Sequence, residues 1–326
     1  MQTVPGDTTI GHTTAYCHLI ESLSGDTVSP RAQSLRGIAL ELERVANHTG
    51  DLGALAGDVG YLPTSSFCGR IRGDFLNMTA LMCGSRFGRG LVLAGGVGFD
   101  LTGRDCEVMA ERLARSLKDS TVAADLLWKT PSVLARFEDT GTVQMQVCRE
   151  LGMVGVAARA CGVQTDCRFN FPAGIYRFAQ IHVSTSNTGD VFARAFVRWL
   201  EVQRSIAFIR DQLEALPADR QGPRLSDRSD RSDKSDRRGP GPRSDGVTGH
   251  HPLSPNKFVV SVTEGWRGEI CHVGMTGADG SFCHYKIVDP SFHNWTGLAM
   301  SLRGQQISDF PLCNKSFNLS YCGHDL

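Results

Sequence analysis

The sequence has no uninterrupted apolar run near the roughly 18 residues that a membrane crossing needs. Its start shows no basic segment followed by an apolar core, since Met1 is followed by Gln2, Thr3 and Pro5. We therefore expect a chain that is neither secreted nor membrane-spanning by itself. Net charge is missing too: 34 Lys plus Arg balance 34 Asp plus Glu, which removes a whole-chain electrostatic case for nucleic acid as a partner. The eleven cysteines stand at 17, 68, 83, 106, 148, 161, 167, 271, 283, 313 and 322. No two of them form a C-x-x-C pair, so a zinc or iron-sulfur site of that type has no support. An odd count in a long chain without a leader reads as mostly reduced, buried thiols rather than a disulfide framework. Gly95-Gly96-Val97-Gly98 lacks the G-x-G-x-x-G spacing of a dinucleotide loop and the Lys-Ser/Thr of a phosphate loop. Sequence order alone assembles no Ser-His-Asp or Cys-His set.

What is present, over 326 residues, is enough chain for two domains or one large one with an insertion. Residues 217–256 break the composition with repeated Ser-Asp-Arg and Ser-Asp-Lys triplets from Ser226 to Arg237, followed by Gly239-Pro240-Gly241-Pro242. With almost no apolar residues to offset ordering entropy, the segment is expected to be a disordered, solvated insertion. Residues 1–216 read as a helical bundle. Pro30-Arg31 opens a helix whose Leu35, Ile38, Ala39, Leu42, Val45 and Ala46 recur at helical spacing, and Phe75 to Phe87, Glu107 to Leu117 and Val191 to Leu216 follow the same period. Residues 257–326 change to period two at Lys257 to Val262, Glu269 to Met275 and Phe282 to Val288, and then to a short helix near Thr296 to Leu302. The expected class is α+β: a helical-bundle core with a small antiparallel sheet in the C-terminal segment that completes it.

Ionisable residues crowd two helices whose neighbours are apolar, in Glu43-Arg44-Val45-Ala46-Asn47-His48 and in Arg70-Ile71-Arg72-Gly73-Asp74. Buried charges must be paired or face a functional cavity. These runs, with Ala15-Tyr16, Pro30-Arg31-Ala32-Gln33, Asp58-Val59-Gly60, Gly95-Gly96-Val97, Gly189-Asp190-Val191-Phe192-Ala193-Arg194, Glu264-Gly265-Trp266-Arg267-Gly268-Glu269 and Asp289-Pro290-Ser291-Phe292-His293, are collinear with a known family. The chain resembles the large subunits shared by respiratory complex I, in its quinone-site subunit of the D type, and by membrane-bound energy-converting nickel-iron hydrogenases.

In hydrogenase members of that family, an amino-proximal C-x-x-C-x-x-x-H and a carboxy-terminal D-P-C-x-x-C hold nickel and iron through soft thiolates. In register, this chain has Pro5 and Thr8, with His12 retained, and Ser320 and Gly323. The resemblance therefore points to members without the nickel-iron centre, with no metal ligands expected here. Cys313 and Cys322 do not match the ligand register and read as structural. In complex I members the quinone headgroup is held by a Tyr, matched by Tyr16, and by a His on an amino-terminal hairpin whose Asp partner is matched by Asp58. The chain starts just before Tyr16, so the family's amino-terminal β domain, hairpin included, is expected to be absent. Leu93-Ala94 stands where complex I members have Arg-Pro.

The resemblance implies Tyr16 and Asp58 as catalytic residues and His12, Arg70 and Arg72 as cofactor-binding. It implies a subunit of a complex I-like or hydrogenase-related oxidoreductase, NADH dehydrogenase-like, with quinone as substrate and an iron-sulfur cluster on a partner. Implied partners are an iron-sulfur small subunit, a membrane subunit and other hydrophilic-arm subunits, with the chain peripheral on the cytoplasmic face of the membrane. Loss of the redox ligands leaves a second reading, a scaffold that transmits conformational change without binding an acceptor. A residual nickel-iron hydrogenase is disfavoured by the missing ligands.

Overall fold

The computed structural model describes residues 1–216 and 252–326, and the expected 217–256 insertion falls almost wholly outside them. The class is α+β. Helix α1 (Thr9–Ser24) precedes α2 (Pro30–Asp58), whose start is set by Pro30 at the first position and by the Ser29 hydroxyl accepting from Ala32 N–H. The apolar stripe read from the sequence is the buried stripe of α2, with Leu35, Ile38, Ala39, Leu42, Val45 and Ala46 all inaccessible. Around α2 stand α3 (Leu62–Cys83) and α9 (Val191–Glu214), with α4 (Gly103–Trp128) packed on α3 and α9. Asp190 caps α9 by accepting from Ala193 N–H. Trp128 seals the α4–α9 contact edge-on against Phe192 and Phe196, at 5.5 and 5.8 Å between ring centroids.

Strands β1 (Val92–Leu93) and β2 (Gly96–Val97) form a minimal hairpin. The short helices α5 (Pro131–Phe137), α6 (Met145–Glu150), α7 (Gly155–Ala160) and α8 (Cys167–Asn170) wind between α4 and α9. Strands β3 (Phe258–Glu264), β4 (Glu269–Thr276) and β5 (Phe282–Val288) form an antiparallel sheet in that order, with Ser261 opposite His272. The sheet lies against α1, and Gly274 permits the close approach: a Cβ there would stand 3.0 Å from a Leu19 methyl. Helix α10 (Pro290–Ser301) begins at Pro290, six residues before the sequence estimate, because Asp289 caps it through Ser291 N–H. Helices α11 (Phe310–Phe317) and α12 (Tyr321–His324) close the chain.

One close approach positions the functional region. Gly155 has φ 65° and abuts the β3–β4 turn, so a Cβ there would fall 2.0 Å from the Arg267 carbonyl oxygen. Only glycine fits, and the turn is thereby held with the Arg267 side chain aimed at the N-terminal loop. Among the described residues the cysteines are unpaired with one another, and most are buried.

Candidate functional site

The loop 1–8, the middle of α2, α3 and the end of α11 meet at a cleft of about 430 Å³. Its walls carry Asp7, Asn47, Asp51, Ser65, Arg72, Lys315 and Asn318, with Gly50, Gly53, Gly69 and Ala54 between them, and no large apolar side chain. Arg72 lies over Gly50, where a Cβ would come within 2.8 Å of its Cδ. Lys315 extends to Asn318 Oδ1 at 3.3 Å and stands 4.0 Å from Asp51.

Both acids of this cleft are committed to arginines. Asp51 accepts from Arg198 Nε at 2.8 Å and from Asn318 Nδ2 at 2.6 Å. Asp7 is held by both terminal nitrogens of Arg267, at 2.9 and 2.7 Å, the bidentate geometry that a guanidinium offers a carboxylate. Burial acts to raise the Asp7 carboxyl, but the Arg267 hydrogen bonds and charge outweigh it and hold the group below its ordinary value. Arg267 stacks on Trp266, 3.9 Å from the ring centroid, and its Nε donates to the Asn318 carbonyl at 2.6 Å. Trp266 Nε1 donates to the Asp7 carbonyl and to Thr8 Oγ1, each at 3.1 Å. A single guanidinium thus clasps the first loop to the last turn.

Of the four positions in the register of hydrogenase cysteines, Thr8, Ser320 and Gly323 do not fit a nickel-iron pair, and Pro5 carries no ligand atom. Thr8 Oγ1 is taken up by Trp266 and Arg267. Ser320 Oγ accepts from Gly323 N–H at 3.1 Å and lies 3.1 Å from Cys322 Sγ. Gly323 has no side chain, and a Cβ there would fall 2.6 Å from Asp289 Oδ1. The donors are hard hydroxyls already in use, and a fixed cation stands among them. Among the described residues no cluster of three or more His, Cys, Asp or Glu is arranged for a metal.

Behind the cleft α2 carries a buried ionic network. Arg44, Arg159 and Arg168 face Glu41, Asp166, Glu201 and Glu264. Arg159 reaches Glu201 at 2.9 Å and Glu264 at 2.7 Å, and Arg168 reaches Asp166 at 2.6 Å and Glu41 at 3.1 Å. Tyr176 and Ser205 each donate to Glu41 at 2.6 Å. His48 Nε2 lies 2.9 Å from Glu201 while its Nδ1 has no partner, the pattern of a neutral imidazole donating once. Burial foremost lowers the His48 affinity for a proton. Three guanidinium groups therefore meet four carboxylates, and Glu264 is the one pushed up, by burial and then by the neighbouring Asp166.

The sequence-derived site residues scatter. Arg72 is in the cleft. Arg70 is exposed on another side of α3, paired with Asp74 at 3.1 Å and Asp119 at 2.5 Å. Tyr16 is half-buried on α1, edge-on to Tyr285 at 6.3 Å, against the sheet rather than in the cleft. Asp58 is the exposed last residue of α2, about 22 Å of helix rise beyond Glu43, where α2 meets the start of α1. No contact joins Tyr16 to Asp58. Partial burial raises the Asp58 carboxyl, and the Lys315 charge pulls it back. His12 is buried between Asp289 and His272, at 3.0 and 3.1 Å.

Residue reading missed Asp7, Arg267, Asp289, His272, Arg159, Arg168 and Glu201 as site components. One signal was available: Arg194, Arg198, Glu201 and Ser205 repeat at helical spacing on α9, and all four are fully buried. That polar stripe marks the face of α9 turned toward the network.

Comparison with known proteins resolves what this arrangement descends from. Residues 58–325 match the family described as respiratory-chain NADH dehydrogenase, 49 Kd subunit. The chain belongs to that family. It is 30% identical over 312 residues to the carbon monoxide-induced hydrogenase of Rhodospirillum rubrum, covering 94% of this chain and 78% of that protein. It is 28% identical over 311 residues to formate hydrogenlyase subunit 5 of Escherichia coli, spanning 95% of this chain but half of that protein. It is 28% identical over 319 residues to NADH-quinone oxidoreductase subunit 4 of Thermus thermophilus, covering 91% of this chain and 73% of that protein. Both branches named from the sequence resemblance are thus among the chain's relatives.

Proposed function

We propose that this chain is a subunit of a complex I-like or hydrogenase-related oxidoreductase and that its 430 Å³ cleft is the acceptor-facing cavity. The observation that carries the reading is the cleft's composition: Asn47, Asn318 and Ser65 offer hydrogen bonds, and Arg72 and Lys315 offer charge, beside acids already neutralised by Arg198 and Arg267. Such a wall suits the carbonyl oxygens of a quinone headgroup, which gain negative charge on reduction. The names of the quinone oxidoreductase relatives support quinone as the acceptor. In this reading electrons come from an iron-sulfur cluster on a small subunit, as the names of the NADH-quinone oxidoreductase relatives support. Asp58 then tunes protons, Arg72 holds the acceptor, and Tyr16 and His12 act from the sheet side. Arg70 has a surface role at its ion pairs.

Partners are the iron-sulfur small subunit, a membrane subunit and other hydrophilic-arm subunits, with the chain peripheral at the cytoplasmic face. Among the described residues no helix is long and apolar enough to cross a membrane. Exposed Phe292, Ile307, Phe310 and Tyr321 in the C-terminal segment support contact with such a partner. The scaffold reading is favoured by one observation, the Arg267–Asp7 clasp, which closes the old ligand positions with a purely structural ion pair. The two separate on one experiment. In the isolated complex, Arg72→Gln should raise KM for quinone about tenfold with assembly intact. An unchanged KM would favour the scaffold.

A further inference from the structure

Between the sheet and the last turn, four titratable side chains stand in one continuous hydrogen-bonded string. Tyr285 Oη lies 2.6 Å from His272 Nδ1, His272 Nε2 lies 3.1 Å from His12 Nδ1, and His12 Nε2 lies 3.0 Å from Asp289 Oδ2. The two imidazoles and Asp289 are fully buried, and Tyr285 at the far end is half-buried on β5. Each contact joins one donor to one acceptor if the string is polarised in a single sense, Tyr285 to His272 to His12 to Asp289, and no ring nitrogen is then left unmatched. Asp289 Oδ1 meanwhile accepts from Ser291 N–H, and Ser291 Oγ accepts from Ser320 N–H, so the inner end of the string abuts the turn that continues from Asn318 of the cleft.

We propose that Tyr285, His272, His12 and Asp289 form a proton relay that delivers one proton from the sheet surface to the carboxylate beneath the last turn of the acceptor cleft. The sequence reading gave His12 a cofactor role; here it is an inner link of a relay, and Tyr285 and His272 are links that reading did not assign. The transfer is balanced. The Tyr285 hydroxyl proton moves to His272 Nδ1, the His272 Nε2 proton moves to His12 Nδ1, and the His12 Nε2 proton moves to Asp289 Oδ2. Solvent protonates Tyr285 Oη as its hydroxyl proton leaves, so no free phenolate forms, and both imidazoles end neutral in the opposite tautomer. Burial and then the neighbouring His12 hold His272 down at about 3, so His272 hands protons on without storing one. The other groups facing the string are Tyr16 and Cys17 on α1, opposite Tyr285, and the amino group of Met1, near His272. Neither Tyr16 nor Cys17 interrupts the string, since Tyr16 meets Tyr285 only edge-on.

The relay rests on the acceptor reading for its destination but not for its existence, and the tests divide accordingly. Histidine-selective nitrogen NMR on the full chain at pH 7 should find His272 in the Nε2–H tautomer and His12 with its Nε2 proton bound strongly to Asp289. Tyr285→Phe should then shift the His272 Nδ1 resonance and, through it, the His12 signals, with the fold unchanged. A His272 protonated on Nδ1, or His12 signals indifferent to Tyr285→Phe, would overturn the string's polarity and with it the proposal. In the assembled complex, Tyr285→Phe should slow proton-coupled turnover roughly tenfold and alter its pH profile and solvent isotope effect. An unaltered rate and isotope effect with intact tautomers would overturn the relay while leaving the acceptor cavity standing. A wild-type complex with no quinone turnover but the expected tautomers and propagation would instead sink the acceptor reading alone.

Discussion

Replacing Arg159 with methionine probes the buried network where the structure makes the largest commitment. The Arg159 guanidinium contacts Glu201 at 2.9 Å, Glu264 at 2.7 Å and the Thr165 carbonyl at 2.9 Å, with Asp166 at 3.6 Å, and the side chain is fully buried. Without it, Glu201 keeps His48 and a longer contact to Arg44 at 3.5 Å, whereas Glu264 keeps Cys167 as its hydrogen-bond partner and the more distant charges of Arg44 and Arg168. Removing one partner of a buried ionic set costs about 3–5 kcal/mol, against a total stability of about 5–15 kcal/mol for a typical domain. Urea unfolding followed by circular dichroism should show a loss of that size. The loss should also depend on pH with a definite sign. The Glu264 carboxyl is already raised in the folded chain, and without Arg159 it rises further. A raised carboxyl contributes stability below its unfolded value and loses it as pH rises through the folded one. The Arg159→Met deficit should therefore shrink toward pH 5 and widen toward pH 8, and adding Glu264→Gln should recover part of it. A loss under about 1 kcal/mol, or the same loss at both pH values, would refute the reasoning.

Three further outcomes follow from the same geometry. Glu43 accepts from Ile10 N–H at 2.7 Å and Gly11 N–H at 3.1 Å, and burial lifts its carboxyl from 4.5 to about 8 despite those donors. The folded chain then holds the extra proton between those values, so stability should fall as pH rises from about 4.5 to about 8 and flatten in Glu43→Gln, read by thermal unfolding against pH. Arg267→Lys keeps the charge but loses the two-pronged hold on Asp7 and the Nε bond to Asn318, so it should cost roughly 2 kcal/mol and loosen residues 1–8 in hydrogen exchange. Elemental analysis after anaerobic purification should find no stoichiometric nickel, since Thr8 and Ser320 offer only engaged hydroxyls and Gly323 offers nothing.

Much of the fold was legible because apolar spacing reports burial: the α2 stripe, the α9 period and the three strands of the C-terminal sheet each match their elements closely. Helices α5 to α8 were not read, because elements of four to seven residues are held by tertiary contacts and carry too few periods to register. Apolar spacing alone sets the α10 start near Thr296, whereas the Asp289 cap and Pro290 begin the helix six residues earlier. The site was harder to read. Arg159 meets Glu201 and Glu264 across 42 and 105 residues of sequence, and Arg267 meets Asp7 across 260. Local pattern carries no information about such pairings. Family resemblance pointed to Arg72, which lines the cleft, and to His12, which lies in a buried string, but it could not show that Tyr16 faces the sheet while Asp58 ends α2.

The most direct test is electron transfer to quinone in the complex purified with this chain, comparing wild type with Arg72→Gln and Lys315→Gln in preparations of equal subunit composition. The account predicts quinone-dependent turnover in the wild type and a KM raised about tenfold in each variant, with little change in kcat. Turnover with the same KM in all three preparations would contradict it, because the cleft between the first loop, α2, α3 and α11 would then face no acceptor.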